Sequence, residues 1–214
     1  MNECKENEVS DDLVFYTHPH SRGRIARWML EEAGADYRTE VIEYGPDMKS
    51  AQYLAINPMG KVPALEHRGV VVTETAAICA YLADAFPEAG LSPAPSQRGE
   101  YYRWLFFAAG PLEAAVVNRH LGVEIPAERE RMVGYGTFGA VMDTLEAVLS
   151  QSDYAAGSGF TAADVYLGSH IGWGLEFGTI ETREALVDYW SRIKGRAARL
   201  RAVELDDAIA KSME

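Results

Sequence analysis

Four short segments carry side chains whose types and spacing suit chemistry. The first is Tyr16-Thr17-His18-Pro19-His20-Ser21, a polar run between an apolar stretch and a helical pattern. A hydroxyl of Tyr16, Thr17 or Ser21 at a helix start can donate a hydrogen bond to a sulfur anion. An ordinary thiol has a pKa of ~8.5, and lowering it by two units takes about 2.7 kcal/mol of preferential thiolate stabilisation. One charge-assisted hydrogen bond of ~1.5–3 kcal/mol plus ~0.3–1 kcal/mol from a helix end covers that. His18 and His20 flank Pro19 and have no evident third ligand, so they are expected as surface-loop histidines and not as a metal pair.

The second segment centres on Pro63. A proline cannot donate to a strand ladder, so it belongs at an edge or where the backbone has another task. A cis Val62-Pro63 bond would turn the N–H and C=O of Val62 outward, ready to pair with an extended peptide. A plain edge-strand proline is the alternative. Third, Glu74-Thr75 opens a helical run, where free N–H groups favour a carboxylate and Glu74 can hold an ammonium. Thr73 or Thr75 acting only as a helix cap is the simpler reading. Together, Pro63 and Glu74-Thr75 suit a zwitterionic amino-acid end followed by an extended peptide. Fourth, Thr161-Ala162-Ala163-Asp164 matches a capping box, with a structural role.

The elements that must position these residues can be read from periodicity. Leu13 to Tyr16 is a short buried strand. Ile25, Trp28 and Met29 lie on one helical face, Arg27 to Glu31 reads as an i,i+4 ion pair, and Gly34 suits the helix end. Tyr37 to Tyr44 alternates weakly as a second strand. Val62-Pro63-Ala64-Leu65 and Val70-Val71-Val72 flank His67-Arg68-Gly69 as a hairpin. Ile78, Tyr81, Leu82 and Ala85 then mark a helix stopped by Pro87. The order β-α-β, β-β-α describes a small α/β domain with a mixed sheet. Pro87 to Pro95 is dense in Pro and Gly and reads as a linker. Beyond it only helical stripes remain: Tyr101, Leu105, Ala108 and Leu112, with Gly110-Pro111 expected to kink or break the helix; Phe138, Met142, Leu145 and Leu149; and Ala185, Tyr189 and Ile193.

The chain has 214 residues, 48% of them hydrophobic, and a formal net charge of -12. Such an acidic, core-forming composition disfavours phosphate backbones and anionic lipid surfaces, so neither nucleic acid nor membrane is an expected partner. No apolar run approaches the ~20 residues of a membrane helix, and the polar, acidic start is not a signal peptide. Cys4 and Cys79 alone build neither a disulfide framework nor a metal site, which points to a reduced, cytoplasmic protein.

Asn57-Pro58-Met59-Gly60-Lys61-Val62-Pro63-Ala64-Leu65, Thr73-Glu74-Thr75-Ala76-Ala77-Ile78 and Phe160-Thr161-Ala162-Ala163-Asp164-Val165 resemble, in order, three motifs of the cytosolic glutathione transferase superfamily. Ser21 to Gly34 is similar to bacterial members. The resemblance implies an α+β fold: an acidic tail over 1–12, a thioredoxin-like glutathione-binding domain over 13–86, a linker over 87–97 and an all-helical domain over 98–214. It also implies glutathione as co-substrate, a small hydrophobic electrophile as second substrate, and a homodimer. Carried over by position, Val62, beside Pro63, would pair with the cysteinyl part of glutathione, Glu74 and Thr75 would hold its γ-glutamyl end, and Lys61 would assist. Ser21 is the first choice for the thiol partner, with His20 and Tyr16 as alternatives. Tyr102, Phe106, Phe107 and Trp173 are the expected second-substrate contacts. The absence of a loop cysteine argues against relatives that work through mixed disulfides. Other readings left open are a non-catalytic interaction or regulatory protein and another glutathione-dependent activity such as peroxidase, isomerase or dehalogenase.

Overall fold

The computed structural model describes residues 12–214, so the acidic segment 1–11 and Cys4 lie outside the described residues. Four strands form one mixed sheet in the order β2-β1-β3-β4: β1 (Leu13–Thr17), β2 (Arg38–Val41), β3 (Ala64–His67) and β4 (Val70–Thr73). β1 runs parallel to β2 and antiparallel to β3, which pairs antiparallel with β4. The β3–β4 turn is Arg68-Gly69, both at positive φ (52° and 79°), the two-residue geometry that matches strand twist. β3 starts at Ala64, two residues later than the sequence suggests, because the Val62-Pro63 bond is cis and Pro63 cannot join the ladder.

Helix α1 (Gly23–Ala33) buries Ile25, Trp28 and Met29 as expected and ends at Gly34 in the left-handed region. The expected Arg27–Glu31 pair does not form. Arg27 is buried and reaches Asp206 at 2.8 Å, while Glu31 accepts from the Tyr37 hydroxyl at 2.6 Å. Burial decides this: a guanidinium drawn under α1 needs a carboxylate buried with it. A short helix, α2 (Ala51–Ile56), was not foreseen; six residues carry too little periodicity, although Ser50 caps it by accepting from the Tyr53 N–H. Helix α3 (Thr75–Ala85) follows β4 and packs on α1.

The remainder is helical: α4 (Gly99–Phe107), α5 (Glu113–His120), α6 (Phe138–Leu149), α7 (Ala162–Glu176), α8 (Glu184–Ile193) and α9 (Ala197–Ser212). At Gly110-Pro111 the chain bends through one wider π-type turn, Ala108–Leu112, that carries α4 into α5. Pro111 removes one N–H there, and the wider turn absorbs the loss without ending the helix. The capping box at the start of α7 is present. Buried Asp164 accepts from the Thr161 N–H (2.8 Å) and hydroxyl (3.0 Å), and also from the Ala155 N–H (2.7 Å) and the Tyr189 hydroxyl (2.9 Å). One carboxylate thus ties α7 to α8 and to the preceding loop. Among the described residues no helix is long and apolar enough to cross a membrane.

Candidate functional site

Two cavities meet where the sheet unit faces the helical portion. The smaller, about 250 Å³, is lined by Val62, Pro63, Glu74, Thr75 and Tyr166 among others. Its wall begins with the loop before β3. The Tyr53 hydroxyl and the Asn57 amide each donate to the Lys61 carbonyl at 2.7 Å, and the Lys49 ammonium donates to the carbonyls of Met59 and Gly60. Gly60 sits at φ +57°, and a Cβ there would lie 2.4 Å from the Met48 carbonyl oxygen, so only glycine fits. Among the described residues this scaffold leaves the N–H and C=O of Val62 without a backbone hydrogen bond. Across the cavity Glu74 adopts φ +67°, a strained conformation for a residue with a Cβ that turns the chain sharply into α3. Thr75 behind it is buried at the helix N-terminus.

The larger cleft, about 960 Å³, shares Arg22, Lys61, Val62 and Glu113 with the first. Ser21 and His20 line it, and so does Trp173. The Ser21 hydroxyl donates to the His18 carbonyl (2.7 Å) and accepts from the Gly23 N–H (2.9 Å), which fixes it beside the first turn of α1. Gly23 is required: a Cβ there would lie 1.9 Å from Thr17 Oγ1 and 2.9 Å from Ser21 Oγ. His20 is exposed as expected, but His18 is not a surface residue. It is buried against the Tyr44 ring, with centroids 4.3 Å apart, and its Nδ1 accepts from the His20 N–H. Burial lowers the pKa of His18 below the ordinary imidazole value.

Tyr16, Tyr102, Phe106 and Phe107 line neither cavity. Strand alternation turns Tyr16 to the α2 side of the sheet, where its hydroxyl donates to Glu66 at 3.2 Å. Helix α4 buries Tyr101, Trp104 and Leu105 and leaves Tyr102 and Phe106 exposed.

Four residues in the cavity walls carry no local sequence signal. Arg22 reaches across to Glu113 on α5, 91 positions away, in a tight ion pair. His170 on α7 lies 3.5 Å from Glu113 through Nδ1, and its Nε2 has no partner. Burial, with Arg22 nearby, pulls the His170 imidazole down to about 3, so this contact joins a neutral ring to a carboxylate. Tyr166 stacks edge-on against His170 and lines the smaller cavity.

Residues 21–85 match the family model described as glutathione S-transferase, N-terminal domain. A glutathione S-transferase of Arabidopsis thaliana is 28% identical over 205 residues, 87% of this chain and 94% of that protein. A glutathione transferase structure from Methylococcus capsulatus superposes with TM-score 0.75 at 27% identity, covering 92% of this chain and 99% of that one. The chain belongs to the glutathione transferase superfamily. A further member, the sphingomonad glutathione S-transferase solved in complex with glutathione, has TM-score 0.70 at 28% identity and covers 91% of this chain and 98% of that one. Its glutathione-transferase fold is a thioredoxin-like sheet unit followed by helices.

Proposed function

We propose that this protein conjugates glutathione, as its thiolate, to a small apolar electrophile. The observation that carries the reading is the composition of the smaller cavity. Among the described residues Val62 offers a backbone N–H and C=O with no backbone partner, Glu74 offers a carboxylate, and Thr75 stands at a helix N-terminus, all around one space that shares Arg22, Lys61 and Val62 with the cleft that Ser21 lines. These groups complement an extended peptide, an ammonium and a carboxylate respectively. Lys61 lies on the boundary of both cavities and adds a cation toward an anionic ligand. Glutathione bound along Val62 would direct its sulfur toward Ser21. A thiolate is a stronger acceptor than a carbonyl and would draw the Ser21 hydrogen away from His18. His20 is the second candidate from the same loop. The sulfur then attacks the electrophile held in the larger cleft, with Trp173 among its walls.

The exposed aromatic face of α4, with Tyr102 and Phe106, is assigned to a second copy of the chain, giving a homodimer. Solubility in the cytoplasm and a role in detoxification accord with this reading.

Calorimetry with glutathione and ultraviolet titration of the bound thiolate test it. Binding in the micromolar to millimolar range is expected, with a bound-thiol pKa below the free value. Ser21→Ala should raise that pKa by about 1–2 units, the loss of one charge-assisted hydrogen bond. An unchanged thiol titration in Ser21→Ala removes Ser21 from the role. No binding at millimolar glutathione favours an interaction or regulatory protein instead.

A further inference from the structure

Beyond Ser21 and Lys61 the larger cleft is lined by aromatic rings and by a guanidinium that makes no ion pair among the described residues, with the exposed Glu176 on the same wall. Trp28 of α1 and Trp190 of α8 meet edge-on, centroids 6.3 Å apart. Gly172 permits this arrangement, because a Cβ on it would lie 2.5 Å from the Trp190 ring. The Arg199 guanidinium of α9 sits over Trp190 at 4.7 Å from the ring centroid. All three side chains line the cleft.

The other arginines of this cleft are already paired, Arg22 with Glu113 and Arg24 with Asp207. Arg199 forms no ion pair among the described residues; its one hydrogen bond goes to the Lys194 carbonyl at 2.9 Å. Glu176, whose field reaches Arg199, is exposed and beyond ion-pair distance. Partial burial lowers the pKa of Arg199 against the opposing field of Glu176, the reverse of the rise that hydrogen bonds to Asp143 and Glu181 give Arg183. A half-buried guanidinium stacked on an indole is a recognition site for a planar anion. Trp28 lies five positions after Gly23, the first residue of α1, a rise of roughly 7 Å along the helix from the turn that holds Ser21.

We propose that the cleft selects elongated aromatic electrophiles bearing a carboxylate or similar anion at the end away from the reacting carbon, with Arg199 as the residue that takes the anion. This rests on the glutathione transferase reading and names its second-substrate class.

The test uses ethacrynate, an aryl enone carrying a carboxylate, against its methyl ester, in which one added methyl group removes the charge. In both, the glutathione thiolate bonds to the terminal methylene carbon, the alkene pair shifts to an enolate, and water returns a proton to the α-carbon. No group leaves and no oxidant is needed. After correction for the uncatalysed rates, kcat/KM for the acid should exceed that for the ester by about tenfold, the scale of one charge-assisted contact. Arg199→Gln should raise the KM for the acid about tenfold and leave the ester within about twofold, while Arg199→Lys keeps part of the preference. Quenching of tryptophan fluorescence by the acid, without glutathione, reads the same contact independently of turnover; Arg199→Gln should weaken it selectively. Conjugation of both compounds with no preference for the acid, or equal losses for acid and ester in Arg199→Gln, overturns the Arg199 assignment alone. Failure to conjugate either compound, together with no glutathione binding, overturns the transferase reading, and the quenching experiment still decides on Arg199.

Discussion

At the scale of single residues, the site combines strain with burial. Glu74 holds a positive φ that costs about 1–3 kcal/mol, and the sharp turn it makes leaves the first N–H groups of α3 facing the cavity. Its charge has a separate role, which Glu74→Gln isolates by keeping the shape. That variant should raise the KM for glutathione by about tenfold and change kcat much less, because an ammonium contact remote from sulfur is made equally in ground and transition states. Steady-state kinetics with glutathione varied would show it, and an equal fall in kcat would place Glu74 in the chemistry. His170 leads to a pH prediction. Its folded pKa is pulled to about 3 by burial, below the unfolded 6.5, so the native state favours the neutral ring. Stability from this difference is complete above pH 6.5 and is lost as pH falls toward 3, about 2 kcal/mol of it by pH 5. Denaturant unfolding at pH 7 and pH 5 should show a smaller acid loss in His170→Gln than in the parent. His18 shifts in the same direction, and both proteins retain its contribution.

At the scale of elements, what was legible in the sequence was what local physics determines. A short apolar run closed by a polar loop marked β1, His67-Arg68-Gly69 marked the β3–β4 hairpin, Gly34 marked the end of α1, and Thr161 with Asp164 marked the start of α7. Pro63 and Glu74-Thr75 stand out in the sequence as candidates because each departs from what a strand or helix start normally needs, and all three line the smaller cavity. Pairings between distant residues were not legible. Arg27 seemed to face Glu31 one helical turn away, and its true partner is 179 positions along the chain. Arg22, Glu113 and Tyr166 escaped for the same reason, whereas the stripe Tyr101, Leu105, Ala108 and Leu112 did mark the buried side of α4 and its continuation and so turns Tyr102 and Phe106 outward. Gly23 has no special φ, so only packing exposes its importance. Gly23→Ala would push a methyl into Thr17 and Ser21, and the strand end and helix start would have to separate. The expected cost is about 1–3 kcal/mol of stability, along with a raised bound-thiol pKa as Ser21 loses its anchor. A variant with unchanged melting and an unchanged thiol titration would show that the β1–α1 junction yields freely.

On the scale of the whole molecule, the sheet unit and the helical portion are joined through α1 and α9, and the cleft depends on that junction. Its centre is the Arg27–Asp206 pair, both side chains almost wholly buried. The Arg27 guanidinium also lies over the rings of Phe15 and Tyr37, at 5.1 and 5.8 Å from their centroids. Nη2 of Arg27 and Oδ2 of Asp206 have no hydrogen-bond partner, so the pair is incompletely satisfied. Burial raises the pKa of Asp206 while Arg27 pulls it down, the opposition expected of a charge that needs its partner. Removing one member is therefore far worse than removing both. Asp206→Leu leaves a buried guanidinium uncompensated and should cost about 3–5 kcal/mol, whereas adding Arg27→Met should recover most of that loss. Because α9 also carries Arg199, the single variant should loosen the far wall of the cleft and weaken ethacrynate binding, and the double variant should restore it. Chemical denaturation of the four proteins in the cycle, read beside tryptophan quenching, separates the outcomes. Additive losses from the two substitutions would mean that the charges act independently and that the junction is held by apolar packing alone.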